Sequence, residues 1–182
     1  MIPEYKLYHG AVFAELIDEF PGSVTIEEWP EKGRISSYVL NGRVGLHVKH
    51  SSSRMRPWMF TVTPANFEDL EQLRQRCDQL FVVLICWLDG MVCINDTEFQ
   101  AIVSEQPGRT WLRAERKKRE LYTVSGAQGE LQGRRANGIT PILQALGYTA
   151  PPRPEARTPE LPRSSSSWIR RLLGRSSVST DG

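Results

Sequence analysis

Apolar residues recur along the chain with two different periods, and each period predicts a different element. Over residues 5–20, the side chains of Tyr8, Val12 and Leu16 fall on one helical stripe, and the pattern stops at Pro21. Because apolar residues three or four apart share one face of a helix, this spacing predicts an amphipathic helix near the start of the chain.

The dipeptide Asn41-Gly42 separates two runs that favour β-structure. Both central residues of a type I′ turn need a positive φ, which Asn and Gly adopt at little cost, so this pair predicts a hairpin. The second run alternates, with apolar side chains on one side of the predicted strand and a mixed set on the other: Val44, Leu46 and Val48 against Gly45, His47 and Lys49.

Two further helices and a buried strand follow. Thr63-Pro64 begins the second predicted helix, because Thr is a good N-cap and Pro suits the first helical position. Residues 81–87 are apolar on both faces, which predicts a central strand between two layers. Asn95, with Glu98 at the capping-box position, begins the third helix.

The order of elements indicates the fold class. Strands cluster before the second helix and again after it, which differs from a regular βαβ winding. The sequence therefore predicts an α+β domain, in which a mixed β-sheet packs against two to three helices. Its core is αβββ(β)αβ-like, and a C-terminal β-hairpin formed by residues 111–116 and 121–125 follows.

A change in composition divides the chain. Residues 1–149 form one predicted globular domain, whereas residues 150–182 are rich in Pro, Ser and Arg and are predicted to be disordered. This tail holds a short amphipathic motif at residues 168–175, with the apolar side chains Trp168, Ile169, Leu172 and Leu173. The motif has two interpretations: a solvated tail, or a linear motif that becomes helical on a protein partner or an anionic membrane.

Targeting and redox signals favour a cytoplasmic location. The first residues lack both the basic and the apolar region of a secretory signal. The longest apolar stretch, Leu80–Leu88, is less than half of the roughly 20 residues that a membrane-spanning helix needs. The three cysteines (Cys77, Cys86 and Cys93) lack metal-binding spacing, and we expect them to be reduced thiols, with Cys86 and Cys93 buried.

The distribution of charge along the chain indicates more about a binding partner than the net charge does. The formal net charge is +2, but residues 109–135 contain eight Lys or Arg against three Glu. The residues that we predict to contact nucleic acid come from two basic hairpins: Lys49, His50, Arg54, Arg56, Arg113, Arg116, Lys117, Lys118 and Arg119. The alternative is that Lys49 and His47 form an ordinary solvent-facing strand surface and that the second cluster keeps a sheet edge soluble.

Several common catalytic signatures are absent from the sequence. It contains no GxxxxGK(S/T), no GxGxxG after a strand, no HExxH and no GxSxG. The histidines do not combine with the cysteines at any familiar zinc spacing. These motifs and spacings therefore predict no resident metal or cofactor.

One family has a similar order of elements. A helix, three strands, a second helix and a buried apolar strand, with Lys49 near the end of the third strand, resemble the core of the restriction-endonuclease-like superfamily, the PD-(D/E)xK nucleases. The resemblance implies an acid on one strand and an acid-x-Lys on the next, which together bind Mg²⁺. It also implies a glutamate from the first helix in the same site.

The chain matches that pattern only in part. Lys49 fits the lysine, and Glu15 fits the helix glutamate, but His47 stands where the acid before the lysine is expected. Ser36 and Ser37 occupy the place of the preceding Asp, so Glu27 or Glu28 would have to supply that carboxylate. Under this resemblance the candidate catalytic residues are Lys49, Glu15 and Glu28.

Three functions follow as hypotheses. The leading one is an intracellular nuclease-like domain that has lost catalysis and contacts nucleic acid through its basic hairpins. The second is a protein-interaction adaptor that uses the motif at residues 168–175. The third is a metal-dependent nuclease that uses Mg²⁺, because clustered carboxylates hold this ion and the ion activates water.

Overall fold

Four helices and two β-sheets make up the part of the chain that the computed structural model describes, which is residues 1–29, 36–105 and 107–148. The helices are α1 (Glu4–Glu19), α2 (Pro64–Arg76), α3 (Asp96–Ile102) and α4 (Thr140–Ala145). The strands are β1 (Ile26–Glu28), β2 (Ser37–Leu40), β3 (Val44–Ser51), β4 (Trp58–Val62), β5 (Gln79–Cys86), β6 (Gly90–Asn95), β7 (Thr110–Glu115), β8 (Thr123–Gly126) and β9 (Gly129–Glu130). This content confirms the predicted α+β class.

The first sheet has five strands in the order β1-β2-β3-β5-β6. The β2–β3 hairpin turns at Asn41 and Gly42, whose φ angles are 48° and 68°. The amide of Arg43 donates to the carbonyl of Leu40 at 3.1 Å, as a type I′ turn requires. The predicted hairpin is therefore confirmed.

Strand β5 lies in the interior of this sheet, as its two apolar faces predict. It pairs in parallel with β3, from Val44 opposite Gln79 to Ser51 opposite Cys86. The crossover between these two strands contains β4, which joins the second sheet, and then helix α2. Because β3 and β5 run in the same direction, the loops that follow them open at one rim of the sheet.

The second sheet is antiparallel, with the order β4-β7-β8-β9. The sequence predicts a single mixed sheet, and the departure of β4 from it has a simple cause. Both edges of β3 are already occupied, by β2 on one side and by β5 on the other. Strand β4 therefore pairs with β7 and buries Trp58, Phe60 and Val62, while Met59 and Thr61 are exposed.

The five-stranded sheet separates two apolar clusters. On one face, Val12 and Leu16 of α1 pack with residues of β3 and α4; we call this the α1 face. On the other face, α2, α3 and the second sheet pack against the same strands; we call this the α2 face. As the alternation predicts, Val44, Leu46 and Val48 of β3 belong to the α1 face.

The close approach of α3 to the second sheet depends on one glycine. A Cβ at Gly126 would lie 2.3 Å from the main-chain oxygen of Ile102 and 2.9 Å from Cγ2 of Val103. Since real Cβ atoms essentially never come so close to a main-chain oxygen, β8 needs a residue without a side chain here.

The state of the cysteines and the length of the helices agree with the predictions from the sequence. Cys77, Cys86 and Cys93 are free thiols, and the last two are buried as predicted. In the described part of the chain, the helices are too short or too polar for any of them to cross a membrane. The predicted tail, with Trp168, Ile169, Leu172 and Leu173, lies outside the described residues.

Candidate nucleic-acid interface

The amine of Lys49 is bound to the first turn of α2. Its Nζ donates to Oδ1 of Asn66 at 2.9 Å, and the same oxygen accepts the amide hydrogen of Thr63 at 3.0 Å. Burial lowers the pKa of Lys49 to about 8, against the opposing effect of Asp69. The alternative of an ordinary solvent-facing strand surface is therefore wrong for Lys49, which is half-buried against α2.

His47 is more deeply enclosed on the same face. Its side chain is 1% exposed, and Nδ1 lies 2.8 Å from Oγ of the buried Ser37. Burial, followed by the nearby charges of Lys49 and His9, lowers its pKa to about 3. His47 is thus a neutral side chain of the interior and has no access to a ligand in solvent.

The two candidate carboxylates lie on the α1 side, away from Lys49. Glu28 is opposite Tyr38 in the β1–β2 pair, and Tyr38 is bonded to His9 of α1 at 2.8 Å. Directly opposite residues of an antiparallel pair point to the same face, so Glu28 belongs to the α1 face. Glu15 is on α1 itself, and its carboxylate lies beside Gly138.

This placement matters for metal chemistry. Lys49 faces α2, whereas Glu15 and Glu28 lie on the α1 side, so the structure does not bring the three candidate catalytic residues together. Glu27 is held by Arg76 at 3.0 Å. Within the described ranges, no three His, Cys, Asp or Glu side chains are grouped so that they could hold a metal ion.

His50 follows Lys49 on β3 and therefore points to the opposite face. Its ring stacks on Tyr8 of α1, with 4.6 Å between the centroids. Burial lowers the pKa of His50, although the nearby carboxylate of Glu4 acts in the other direction. His50 packs against α1 and does not join Lys49 in one site.

The two basic loops meet. Nη1 of Arg56, in the β3–β4 loop, donates to the main-chain carbonyl of Arg116 at 3.0 Å, at the end of β7. Arg56 and Lys117 line one small cavity of about 210 Å³. The loop after β3 and the turn after β7 therefore contribute cations to one surface.

Not all cations of this surface are available to a ligand. Arg116 is bound to Asp89, with 2.6 Å between Nε and Oδ2, and its guanidinium lies 4.2 Å from the ring of Tyr122. Arg113 is paired with Glu115 on the outer face of the second sheet. These two arginines are committed to contacts within the protein.

The remaining cations form what we call the basic rim. Its members are exposed and have no carboxylate partner among residues 1–29, 36–105 and 107–148: Arg54, Arg56, Lys117, Lys118 and Arg119. Arg134 adjoins them and is paired with Glu120 at 3.2 Å. The structure joins the two loops that carry these residues through Arg56, Arg116 and Lys117.

Sequence reasoning missed Asp89, which joins the turn after β5 to the second basic loop. Asp89 accepts hydrogen bonds from Arg116 and from the hydroxyl of Tyr122 at 2.8 Å. The dipeptide Asp89-Gly90 is typical of a two-residue turn, but the turn in the structure comprises residues 87–89, between the paired residues Cys86 and Gly90. An aspartate in a turn gives no sign of a partner 27 residues away, so no local pattern could have identified this contact.

Comparison of the chain with family models, with curated proteins and with solved structures finds no match. The candidate interface therefore rests on the geometry of this chain alone.

Proposed function

We propose that this domain binds nucleic acid through the basic rim and that it does so without cleaving the strand. The observation that carries the proposal is the hydrogen bond from Arg56 to the carbonyl of Arg116, which unites two basic loops. A surface of this kind attracts a polyanion, because lysines and arginines that meet phosphates release condensed counterions.

The choice of a polyanion over a single small anion follows from the spread of charge. The cations of the basic rim come from two loops, 52–57 and 116–121, rather than from one enclosed pocket. Their exposed side chains provide several separate phosphate contacts, and such contacts position a nucleic-acid backbone without reading its sequence.

The resemblance to the PD-(D/E)xK nucleases supports binding more than catalysis. The antiparallel β1-β2-β3 meander, helix α2 and the parallel β5 follow the order that the resemblance implies, with β4 inserted between β3 and α2. The carboxylates of Glu15 and Glu28 are on the other side of the sheet from Lys49, and a hard cation such as Mg²⁺ needs converging oxygen ligands. We therefore propose a nuclease-like scaffold that retains an interface and lacks the reaction.

The test measures affinity as a function of salt. Arg54→Ala and Lys118→Ala each remove one exposed cation of the basic rim, and we expect each to weaken binding of single- and double-stranded oligonucleotides. Each lost phosphate contact should reduce the slope of log K against log salt concentration by about 1. Fluorescence anisotropy across a salt series measures both quantities.

A matched control comes from the other end of β7. Arg109→Ala removes the same charge from an exposed position just before β7, whereas the basic rim adjoins the end of that strand. We expect this variant, and Lys49→Met on the α2 face, to keep the wild-type salt slope. If Arg109→Ala reduces binding as much as Lys118→Ala, the interface is not where we place it.

A further inference from the structure

An apolar groove lies beside the basic rim, between the start of α1 and the turn after β5. It has a volume of about 440 Å³, and its lining includes Leu7, Tyr8, Trp87, Leu88 and Met91. Leu88 and Leu7 are 79% and 59% exposed. Large apolar side chains exposed together at the edge of a groove indicate a binding surface, because water solvates them poorly.

Trp87 forms one wall of this groove in an unusual backbone conformation. Its φ angle is 49°, in the left-handed region that favours Gly and Asn and that is a genuine outlier for a bulky residue. The amide of Trp87 donates to the carbonyl of Ser51 at 3.2 Å, which ties the turn to the end of β3. This hydrogen bond fixes the backbone at Trp87, and the indole remains partly exposed at the edge of the groove.

Arg54 of the basic rim lies next to one wall of the groove. Its guanidinium lies 5.9 Å from the centroid of the Trp87 ring, within the range of a cation–π contact. The turn 87–89 is joined to the second basic loop through Asp89 and Arg116. A ligand in the groove would therefore have an aromatic surface beside it and unpaired cations at its exit.

We infer that this groove holds an unpaired base of a single-stranded nucleic acid, stacked on Trp87, while the adjoining phosphates meet Arg54 and Arg56. The inference rests on the proposed function and adds to it a preference for single strands over duplexes. Aromatic side chains beside a cationic track are how sequence-tolerant proteins bind single strands, because every base offers a flat π-face. In a duplex the bases are stacked on each other and are not available to the groove.

The one carboxylate in the lining fits this occupant. Glu4 is in the first turn of α1 and accepts the hydroxyl hydrogen of Tyr8 at 3.3 Å. A carboxylate repels phosphate but accepts hydrogen bonds from the exocyclic amino group of a base such as cytosine. The base edge therefore belongs at Glu4, and the phosphates belong at Arg54.

The test compares single-stranded and duplex oligodeoxynucleotides of the same length and sequence by fluorescence anisotropy. Trp87→Asn removes the stacking ring and keeps a residue that tolerates the left-handed conformation. We expect it to weaken single-strand binding about tenfold or more and to leave duplex binding unchanged. Leu88 is 79% exposed, so Leu88→Ser should not affect folding. We expect it also to weaken single-strand binding relative to duplex binding.

Trp111→Ser is the matched control, since it removes a partly exposed indole from the outer face of the second sheet. We expect this variant to keep the wild-type preference between single strand and duplex. If single-strand binding is unchanged in Trp87→Asn and Leu88→Ser, the inference is overturned and the proposed function stands. A groove that binds an amphipathic peptide would give this result. Wild-type protein that binds neither oligonucleotide overturns both.

Discussion

Asp89 and Arg116 connect two turns that are far apart in the chain. The carboxylate of Asp89 lies 2.6 Å from Nε of Arg116, and the same oxygen accepts the hydroxyl hydrogen of Tyr122 at 2.8 Å. The side chain of Arg116 is only 11% exposed, and this carboxylate lies directly against its charge. The pair fixes the turn after β5 against the turn after β7 and thereby positions the second loop of the basic rim next to Trp87.

Removal of this carboxylate should destabilise the protein. Asp89→Ala leaves the largely buried guanidinium of Arg116 without its counter-charge, and we expect a loss of about 2 kcal/mol in the free energy of unfolding. Urea denaturation measures the loss. Glu120→Ala, which removes an exposed partner of Arg134, should change stability very little. Equal losses in the two variants would contradict the structural role of Asp89.

Substitutions of Gly126 and Gly10 are a second pair of variants, with opposite expected effects on the free energy of unfolding. Gly126→Ala places a methyl group 2.3 Å from the main-chain oxygen of Ile102, and we expect a loss of about 2 kcal/mol. Gly10 lies in α1 with no neighbour within 4 Å of an added Cβ. Gly10→Ala should therefore stabilise the protein by up to about 1 kcal/mol, because Ala is the better helix former.

Thermal and urea unfolding of the two alanine variants measure these changes. A wild-type stability in Gly126→Ala would mean that α3 and β8 are further apart than the structure shows.

The buried His47 makes stability depend on acid pH. Its pKa is about 3 in the folded state and about 6.5 in the unfolded state, so the unfolded state binds more protons between these values. The free energy of unfolding should therefore fall as the pH falls below 6.5, with His47 contributing up to about 1.4 kcal/mol per pH unit. We expect His47→Gln to remove this contribution from urea denaturation curves.

Ser37→Ala separates titration from hydrogen bonding. It removes the partner of Nδ1 and leaves the imidazole in place. This variant should shift the stability curve without reducing its slope against pH. A His47→Gln curve parallel to that of the wild type would contradict the assignment of the slope to His47.

Lys49 produces a corresponding effect at alkaline pH. Its pKa is about 8 in the folded state, against about 10.4 for an unperturbed lysine, so the wild type gains stability from this group as the pH rises through that interval. Lys49→Met lacks the group. The stability of the variant relative to the wild type should therefore decline between about pH 8 and pH 10, by at most about 1.4 kcal/mol per unit.

A constant difference between Lys49→Met and the wild type across that interval would show that the amine is solvated. The same measurement therefore checks its contact with Asn66.

Elements with a local signal were predictable from the sequence. The Asn41-Gly42 turn needs only two residues that accept a positive φ, and both adopt it. The capping box of α3 needs only Asn95 and Glu98, whose reciprocal hydrogen bonds are both 2.9 Å. The burial of strand β5 was predictable because nearly all of its residues are apolar.

The candidate site depended on partners that no local pattern specifies. Whether Glu28 and Lys49 share a face is decided by which strand pairs with which and by the side on which α1 packs. The pairing of β4 with β7 likewise follows from the occupation of both edges of β3. Long-range pairing of this kind also brings Arg56 to Arg116, 60 residues later in the chain.

The parallel pairing of β3 with β5 makes segment 52–57 a natural site for grafting. The segment begins after one buried strand, Val44–Ser51, and ends before another, Trp58–Val62, so both of its anchor points are held by the interior. A foreign recognition loop inserted there would emerge next to the turn 87–89, provided that it keeps the carbonyl of Ser53, which accepts the indole N–H of the buried Trp58 at 3.0 Å. The scaffold can thus be retargeted by exchanging a single short connection.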